Sequence, residues 1–130
     1  MTIEAFFEGC WFGGEYSVSI ENRIFVYPET NIPLKIHCAS KETELWFYNV
    51  SQSKNAYWDV CMNIWRTTMF FCHFWWGDKQ AVFEVFNYKI SETCQTNHCL
   101  WIVGADGIAL VGSRDYHKID FYYWQSKEDR

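Results

Sequence analysis

Apolar and polar residues alternate along most of the chain with a period of two. Apolar side chains fall on even positions in residues 16–20, and the same alternation recurs in residues 34–38 and 58–62. A period of two is typical of β-strands, whose successive side chains point to opposite faces. The pattern predicts eight or nine short strands, and no long stretch carries the apolar stripe of a helix. Turn residues between the strands favour an all-β fold, an antiparallel β-sandwich of about eight strands, over a barrel.

Residues 67–76, "TTMFFCHFWW", form the most aromatic stretch of the chain. A membrane-spanning helix needs about 18 consecutive apolar residues, and this run is ended by Gly77-Asp78-Lys79 well before that length. We therefore predict no membrane insertion and a central strand that is covered on both faces. One face would carry Phe70, Cys72 and Phe74, and the other Met69, Phe71 and His73.

Length and charge limit the classes of function. The 130 residues fit one domain, which we place at residues 1–130, with 1–15 as an N-terminal extension and 16–124 as the sandwich. The net charge is −5, and only eleven residues are Lys or Arg. No basic stripe is present to neutralise phosphates, so we predict no nucleic-acid partner.

Six cysteines in a chain of this length indicate an oxidising compartment, and the alternative is a cytosolic protein with six free buried thiols. Residues 1–4 lack the basic segment of a signal peptide, and no long apolar segment follows them. Secretion therefore requires that a signal has been removed. Cys94 with His98 and Cys99, and Cys72 with His73, lack a second ligand pair at finger-like spacing, so we predict no metal.

Catalysis has little support in the sequence. The four histidines are His37, His73, His98 and His117, and no Gly-x-Ser-x-Gly elbow accompanies them. We predict no catalytic residue and no enzyme activity. Asn49-Val50-Ser51 is an acceptor pattern for N-glycosylation, which matters if the chain is secreted and this segment is exposed.

An ordered set of motifs runs from residue 16 to residue 124 and carries a family resemblance. Its pieces are Ile20-Glu21-Asn22, Ile36-His37-Cys38-Ala39-Ser40-Lys41, Glu44-Leu45, Trp58, Asn63, Thr67-Thr68-Met69-Phe70-Phe71-Cys72, Phe83-Glu84-Val85-Phe86, Cys94, Cys99-Leu100-Trp101 and Asp106-Gly107. The set resembles the plant self-incompatibility S-protein family of small secreted β-sandwich proteins. The resemblance implies an extracellular ligand for a cell-surface receptor, with no catalysis and no cofactor. Glu42-Thr43-Glu44-Leu45-Trp46 departs from the family's acidic Asp-Asp-Asp-Leu-Gly.

Four cysteines match the family pattern: Cys38, Cys72, Cys94 and Cys99. They allow three pairings. We favour bonds that join Cys94 and Cys99 to the other two, because these would connect separate strands, and a local Cys94–Cys99 loop is the alternative.

Two further cysteines, Cys10 and Cys61, lie outside the family's usual four. Their joint presence predicts a third bridge. Cys61 is out of phase with Trp58, Val60 and Met62, so it would face a covering N-terminal segment.

Loops are where a sandwich usually carries recognition. The longest polar loop spans residues 89–98, and a disulfide there would reduce the cost of ordering it on binding. Its candidate partner-binding residues are Lys89, Glu92, Gln95 and Asn97, with Glu42, Glu44 and the turn at residues 51–55 as second choices. The alternative is that these are ordinary solvated loops. We expect a monomer.

A carbohydrate-binding module is the second functional hypothesis. Aromatic side chains at strand ends or off the core phase would provide stacking platforms for sugars. The candidates are Trp11, Trp46, Tyr57 and Trp124.

Overall fold

The computed structural model describes residues 10, 14–26, 32–41 and 43–126, with the side chain of Trp46 outside the description. The strands are β1 (Glu15–Asn22), β2 (Leu34–Ser40), β3 (Glu44–Val50), β4 (Asn55–Cys61), β5 (Phe70–Trp76), β6 (Lys79–Phe86), β7 (His98–Val103), β8 (Gly107–Val111), β9 (Lys118–Tyr123) and β10 (Gln125–Ser126). They form two five-stranded sheets, in the orders β4-β1-β7-β8-β9 and β10-β6-β5-β2-β3. The predicted β-sandwich is confirmed.

Strand pairing is antiparallel with one exception among the described strands. β1 lies between β4 and β7, and it pairs antiparallel with β4 but parallel with β7, in the register Ser17↔His98 to Asn22↔Val103. A parallel pair needs a long crossover connection rather than a hairpin. Here the connection from β1 to β7 contains β2, β3, β5 and β6 of the second sheet and β4 of the first, so it crosses from one sheet to the other and back.

The core lies between the two sheets and is filled by the alternating apolar positions. β4 shows the pattern most clearly, since Ala56, Trp58 and Val60 are buried while the residues between them are exposed. At the centre, Trp101 of β7 is fully buried, and its Nε1 donates a hydrogen bond of 3.0 Å to the carbonyl oxygen of Val85 on β6. This bond joins the two sheets directly.

The aromatic stretch forms β5, which is central in its sheet but covered on one face only. Phe70, Cys72 and Phe74 are buried, as predicted. The prediction that the other face is also covered is wrong, because Phe71 is 39% exposed and His73 is half-buried. Nothing in the described part of the chain packs over this face as a third layer, so its aromatic residues meet the surface.

All six cysteines are bonded, in the pairs Cys10–Cys61, Cys38–Cys72 and Cys94–Cys99. The Cys10–Cys61 pairing agrees with the expectation from sequence. The prediction that Cys94 and Cys99 bond to Cys38 and Cys72 is wrong. Cys38 and Cys72 face each other in the register of β2 and β5, with their Cα atoms 4.1 Å apart, within reach of a disulfide.

A short helix, α1 (Tyr88–Ser91), and a 3-10 turn (Gln95–Asn97) occupy the predicted polar loop. The side chain of Asn87 caps α1 by accepting a hydrogen bond of 2.7 Å from the amide of Ile90. Asparagine is a preferred residue at this position. One helical turn is too short to produce a periodic apolar stripe, so the alternation pattern missed it. Within the described residues, no helix has the length and apolarity to cross a membrane.

Candidate functional site

Strand registers place most of the predicted partner-binding segments at one end of the sandwich. Four connecting segments meet there, and we call their described residues the loop end: residues 41 and 43, 62–69, 87–97 and 112–117. The registers Ser40↔Phe70 and Phe70↔Phe86 show that the first three segments adjoin neighbouring strands at the same end of one sheet. The turn at residues 51–55 lies at the opposite end, because Val50 pairs with Leu34 and Leu34 pairs with Trp76. This turn therefore cannot share a surface with the other candidates.

Lys89 and Glu92 lie on and just after α1, and both are exposed. The helix is held by its Asn87 cap and by the Cys94–Cys99 bond that follows it. Two charged side chains are thus presented on a fixed backbone at the loop end. They are available for a partner.

Gln95 and Asn97 have structural partners instead. Gln95 Oε1 accepts a hydrogen bond of 2.7 Å from the amide of Arg114, and its carbonyl oxygen accepts one of 2.9 Å from the hydroxyl of Ser113. Asn97 Nδ2 donates to the carbonyl oxygen of Glu15 at 3.0 Å. These side chains fasten the loop to residues 112–117 and to β1. Because Gln95 and Asn97 are engaged in these intramolecular hydrogen bonds, a partner at this loop would contact the neighbouring residues instead.

Glu44 is also at the loop end, at the start of β3. Its carboxylate is 73% exposed and lies 2.9 Å from Nε2 of His37. Glu42 lies outside the described residues. Glu44 thus presents an exposed carboxylate beside a histidine at the loop end.

The most exposed large apolar side chain at the loop end is Trp65, a residue that sequence reasoning missed. Trp65 is 78% exposed and its neighbour Ile64 is 54% exposed. Their turn is well held, because Asn63 Oδ1 accepts a hydrogen bond of 2.9 Å from the amide of Thr67. The guanidinium of Arg66 lies 5.0 Å from the ring centre of Tyr88, which ties this turn to α1. The available signal was the loss of alternation after residue 62 in an apolar segment.

Residues 112–117 contain a close contact between a carboxylate and a histidine at the loop end. Asp115 Oδ1 lies 2.6 Å from Nδ1 of His117. The side-chain hydrogen bond with His117 is the main reason that the pKa of Asp115 is lowered from 3.8 to about 2, and the His117 amide and Gln95 add smaller effects. Gly112 lies directly beneath, where a Cβ would approach the side chains of Asp115, Gln95 and His117 within 2.7 Å. The absence of a side chain there permits this cluster.

Replacement of His117 by Ala is expected to return the pKa of Asp115 from about 2 towards 3.8, because it removes the main hydrogen bond to the ionised carboxylate. A depressed native pKa stabilises the fold above pH 3.8, and this stabilisation is lost as the pH falls towards 2. Carbon-detected NMR titration of the Asp115 carboxyl measures the change. His37→Ala serves as a matched control, and an equal shift in both variants would contradict the assignment.

Of the four aromatic candidates for carbohydrate stacking, the structure describes the side chains of Tyr57 and Trp124. Trp11 and the side chain of Trp46 lie outside the description. Tyr57 is 56% exposed on β4, and its hydroxyl donates to Asp59 at 3.2 Å. Trp124 is half-buried and lies between β9 and β10. Its ring centre is 5.9 Å from that of Trp76, and its Nε1 donates a hydrogen bond to the carbonyl oxygen of Gly104. Trp124 therefore has a packing role.

The structure is thus a small, disulfide-bonded β-sandwich with four of its connecting segments gathered at one end. The family model for plant self-incompatibility protein S1 matches residues 17–124. The chain belongs to this family. The matched range begins in β1 and ends just after β9, so it covers the sandwich.

Curated relatives agree with this family. S-protein homolog 18 of Arabidopsis thaliana is 30% identical over 59% of this chain and 58% of its own length. S-protein homolog 19 of Arabidopsis thaliana is 28% identical over 65% and 64%, respectively. Both matches span less than two thirds of the relatives' length. Self-incompatibility protein S1 of Papaver rhoeas is 28% identical over 85% of this chain and 80% of its own. No solved structure matches.

Proposed function

We propose that this protein is a secreted, non-enzymatic recognition ligand that contacts a cell-surface receptor through the loop end. The observation that carries the proposal is the exposure of Trp65 and Ile64 on a turn fixed by hydrogen bonds. Membership of the self-incompatibility family supports a role in recognition. Three disulfides support folding in an oxidising compartment, and hence secretion.

An exposed tryptophan next to an arginine is a favourable centre for a protein interface. Trp and Arg are enriched among the residues that dominate binding energy, and they act best when surrounding contacts exclude water. Trp65 provides the apolar surface, Arg66 follows it in the chain, and the exposed Lys89 and Glu92 add charge at the same end of the sandwich. The Cys94–Cys99 bond and the Asn87 cap hold the backbone of this region before binding, which lowers the cost of ordering it.

The arrangement of polar groups favours binding over catalysis. Ser17 Oγ lies 2.5 Å from Nδ1 of His98, which is the geometry of a nucleophile and its base. In the register of the described strands, however, Asp59 is opposite Ser17 and not opposite His98, so none of these strands places a carboxylate opposite the histidine to orient it. We therefore propose that this pair has a structural role between β1 and β7.

Replacement of Trp65 by Ala is expected to weaken binding to plant cell surfaces by about 30-fold, the effect of a typical hot-spot residue. The measurement is saturation binding of fluorescently labelled protein to plant protoplasts, with unlabelled protein as competitor. Because Trp65 is 78% exposed, the variant should keep its melting temperature.

Tyr123→Ala provides the matched control, since Tyr123 is 75% exposed on β9, away from the loop end. It should bind as the wild type does. Equal binding by the Trp65 and Tyr123 variants would exclude the loop end as the receptor surface. The absence of saturable binding by the wild type would overturn the proposed function itself.

A further inference from the structure

The outer face of the sheet β10-β6-β5-β2-β3 carries stacked aromatic rings. His37 stacks on Phe47 with ring centres 4.2 Å apart, and His73 stacks on Trp75 at 3.8 Å. Phe47 and Trp75 lie 6.1 Å apart and within 19° of parallel. Phe47 is nevertheless 63% exposed. We call this surface the aromatic face. An exposed apolar patch on a soluble protein usually has an occupant.

A shallow cleft lies on the aromatic face between Phe47 and Trp75. Its volume is about 430 Å³, within the range of small-ligand sites. The lining residues are Ile32, Pro33, Lys35, Phe47, Trp75 and Gly77. The cleft thus combines two aromatic walls with one ammonium group, which donates hydrogen bonds but accepts none. A ligand with C–H surfaces and many oxygen acceptors fits this chemistry.

Asn49, the asparagine of the Asn49-Val50-Ser51 acceptor pattern, lies beside this cleft. It is exposed on β3, two residues after Phe47, so both side chains project from the same face about 7 Å apart along the strand. In the sheet register Asn49 is opposite Lys35, and Lys35 is opposite Trp75. One row across three strands therefore runs from the acceptor asparagine through the lysine to an aromatic wall.

We propose that Asn49 carries an N-linked glycan whose first sugars fold back into this cleft and cover the aromatic face. The inference depends on the proposed secretion, because the donor is a lipid-linked oligosaccharide diphosphate of the secretory pathway. The Asn49 amide nitrogen forms a bond to C1 of the first sugar and loses a proton. The bond from C1 to the diphosphate oxygen breaks, and the lipid diphosphate leaves with the electron pair.

The aromatic face suits the proximal N-acetylhexosamine units of such a glycan. Aromatic rings have negative faces that attract the slightly positive C–H groups of a pyranose. Packing sugars there removes apolar surface of Phe47 from water, which is favourable. Lys35 can donate to the sugar hydroxyls in the middle of the cleft. The glycan is already tethered at one end, so little further freedom is lost when it folds back.

The test uses the full chain secreted from a plant or insect cell line behind a cleavable signal. Intact mass before and after enzymatic deglycosylation reports occupancy of Asn49, and Ser51→Ala removes the acceptor pattern while it keeps Asn49. We expect loss of the glycan to lower the melting temperature by about 3–6 °C in the otherwise native protein. In a Phe47→Thr background the same loss should produce almost no change. The N-acetyl methyl proton of the first sugar should shift upfield in the NMR spectrum only when Phe47 is present.

Phe71→Thr is the matched control, because Phe71 is an exposed aromatic residue on the same face but in a different row of the sheet. Its background should keep the full glycan effect. An equal effect of the glycan in the Phe47→Thr protein would overturn the stacking. A secreted protein without a glycan at Asn49 would overturn this proposal and leave secretion intact, whereas failure of secretion with six free thiols would overturn the proposed function as well.

Discussion

Removal of the Cys38–Cys72 bridge, as the double variant Cys38→Ala/Cys72→Ala, is expected to lower the free energy of unfolding by about 4 kcal/mol. The bridge closes a loop of 34 residues, and a longer loop restricts the unfolded chain more strongly. Both cysteines are fully buried, so the space left by the sulfur atoms adds to the loss. Urea denaturation followed by tryptophan fluorescence measures the change.

Cys94→Ser/Cys99→Ser is the comparison for this experiment. The two cysteines are 5 residues apart, so removal of their bond is expected to cost about 2 kcal/mol. The loss in free energy of unfolding should therefore be roughly twice as large for the Cys38–Cys72 variant as for the Cys94–Cys99 variant. If the Cys94–Cys99 variant instead loses more free energy of unfolding, its bridge stabilises more of the fold than the local connection from α1 to β7.

Replacement of Trp101 by Phe is expected to cost about 2–3 kcal/mol, although both side chains are aromatic. The change removes the hydrogen bond from Nε1 to the Val85 carbonyl oxygen and leaves a void where the larger ring contacts Phe83. Because this bond joins the two sheets, its loss affects the centre of the sandwich. Equilibrium denaturation in urea measures the cost.

Trp58 provides a control of the same residue type. Trp58 is also buried, but within the described residues its Nε1 has no hydrogen-bond partner. Trp58→Phe removes an unsatisfied donor as well as some apolar contact, so the two effects offset each other and the net change should stay below about 1 kcal/mol. Equal losses at both positions would show that ring volume, rather than the hydrogen bond between the sheets, determines the cost.

Alternation was a good guide to the strands. Apolar positions 16–20 predict β1 (Glu15–Asn22), and positions 34–38 predict β2 (Leu34–Ser40), because one face of each strand packs in the core. Asp106-Gly107, a dipeptide typical of hairpin turns, lies where the connection from β7 meets β8, with Gly107 as the first residue of β8. The alternation of apolar and polar residues was sufficient to locate a strand wherever one face of that strand is buried in the core.

The sequence was a poor guide to properties that depend on distant neighbours. The composition of residues 67–76 resembles that of a strand buried on both faces, yet what covers the outer face is decided by other segments of the chain. The Cys38–Cys72 pairing follows from the register of β2 with β5, which the spacing of cysteines does not reveal. Exposure of Trp65 depends on the shape of its turn, and a Trp in an apolar sequence is more often expected in a core.

Only part of the loop end could be predicted from the sequence. Polar, non-alternating sequence identified residues 89–98, since a strand pattern fails there. Residues 113–117, which include Asp115 and His117, are also polar and do not alternate. The proximity of this segment to Gln95, however, depends on the pairing of β7 with β8. Which polar side chains are used internally, as Gln95 and Asn97 are, could only be seen from their hydrogen bonds.

The parallel pairing of β1 with β7 has a consequence for the order in which the chain folds. Ser17 pairs with His98, a separation of 81 residues, whereas β1 and β4 are joined by a shorter loop that Cys10–Cys61 also closes. Contacts between distant residues form slowly because a long loop must close first. During synthesis β1 has its first partner, β4, long before β7 emerges. The edge of β1 that later pairs with β7 must therefore stay unpaired until β7 emerges, so the nascent chain is exposed to misassociation there.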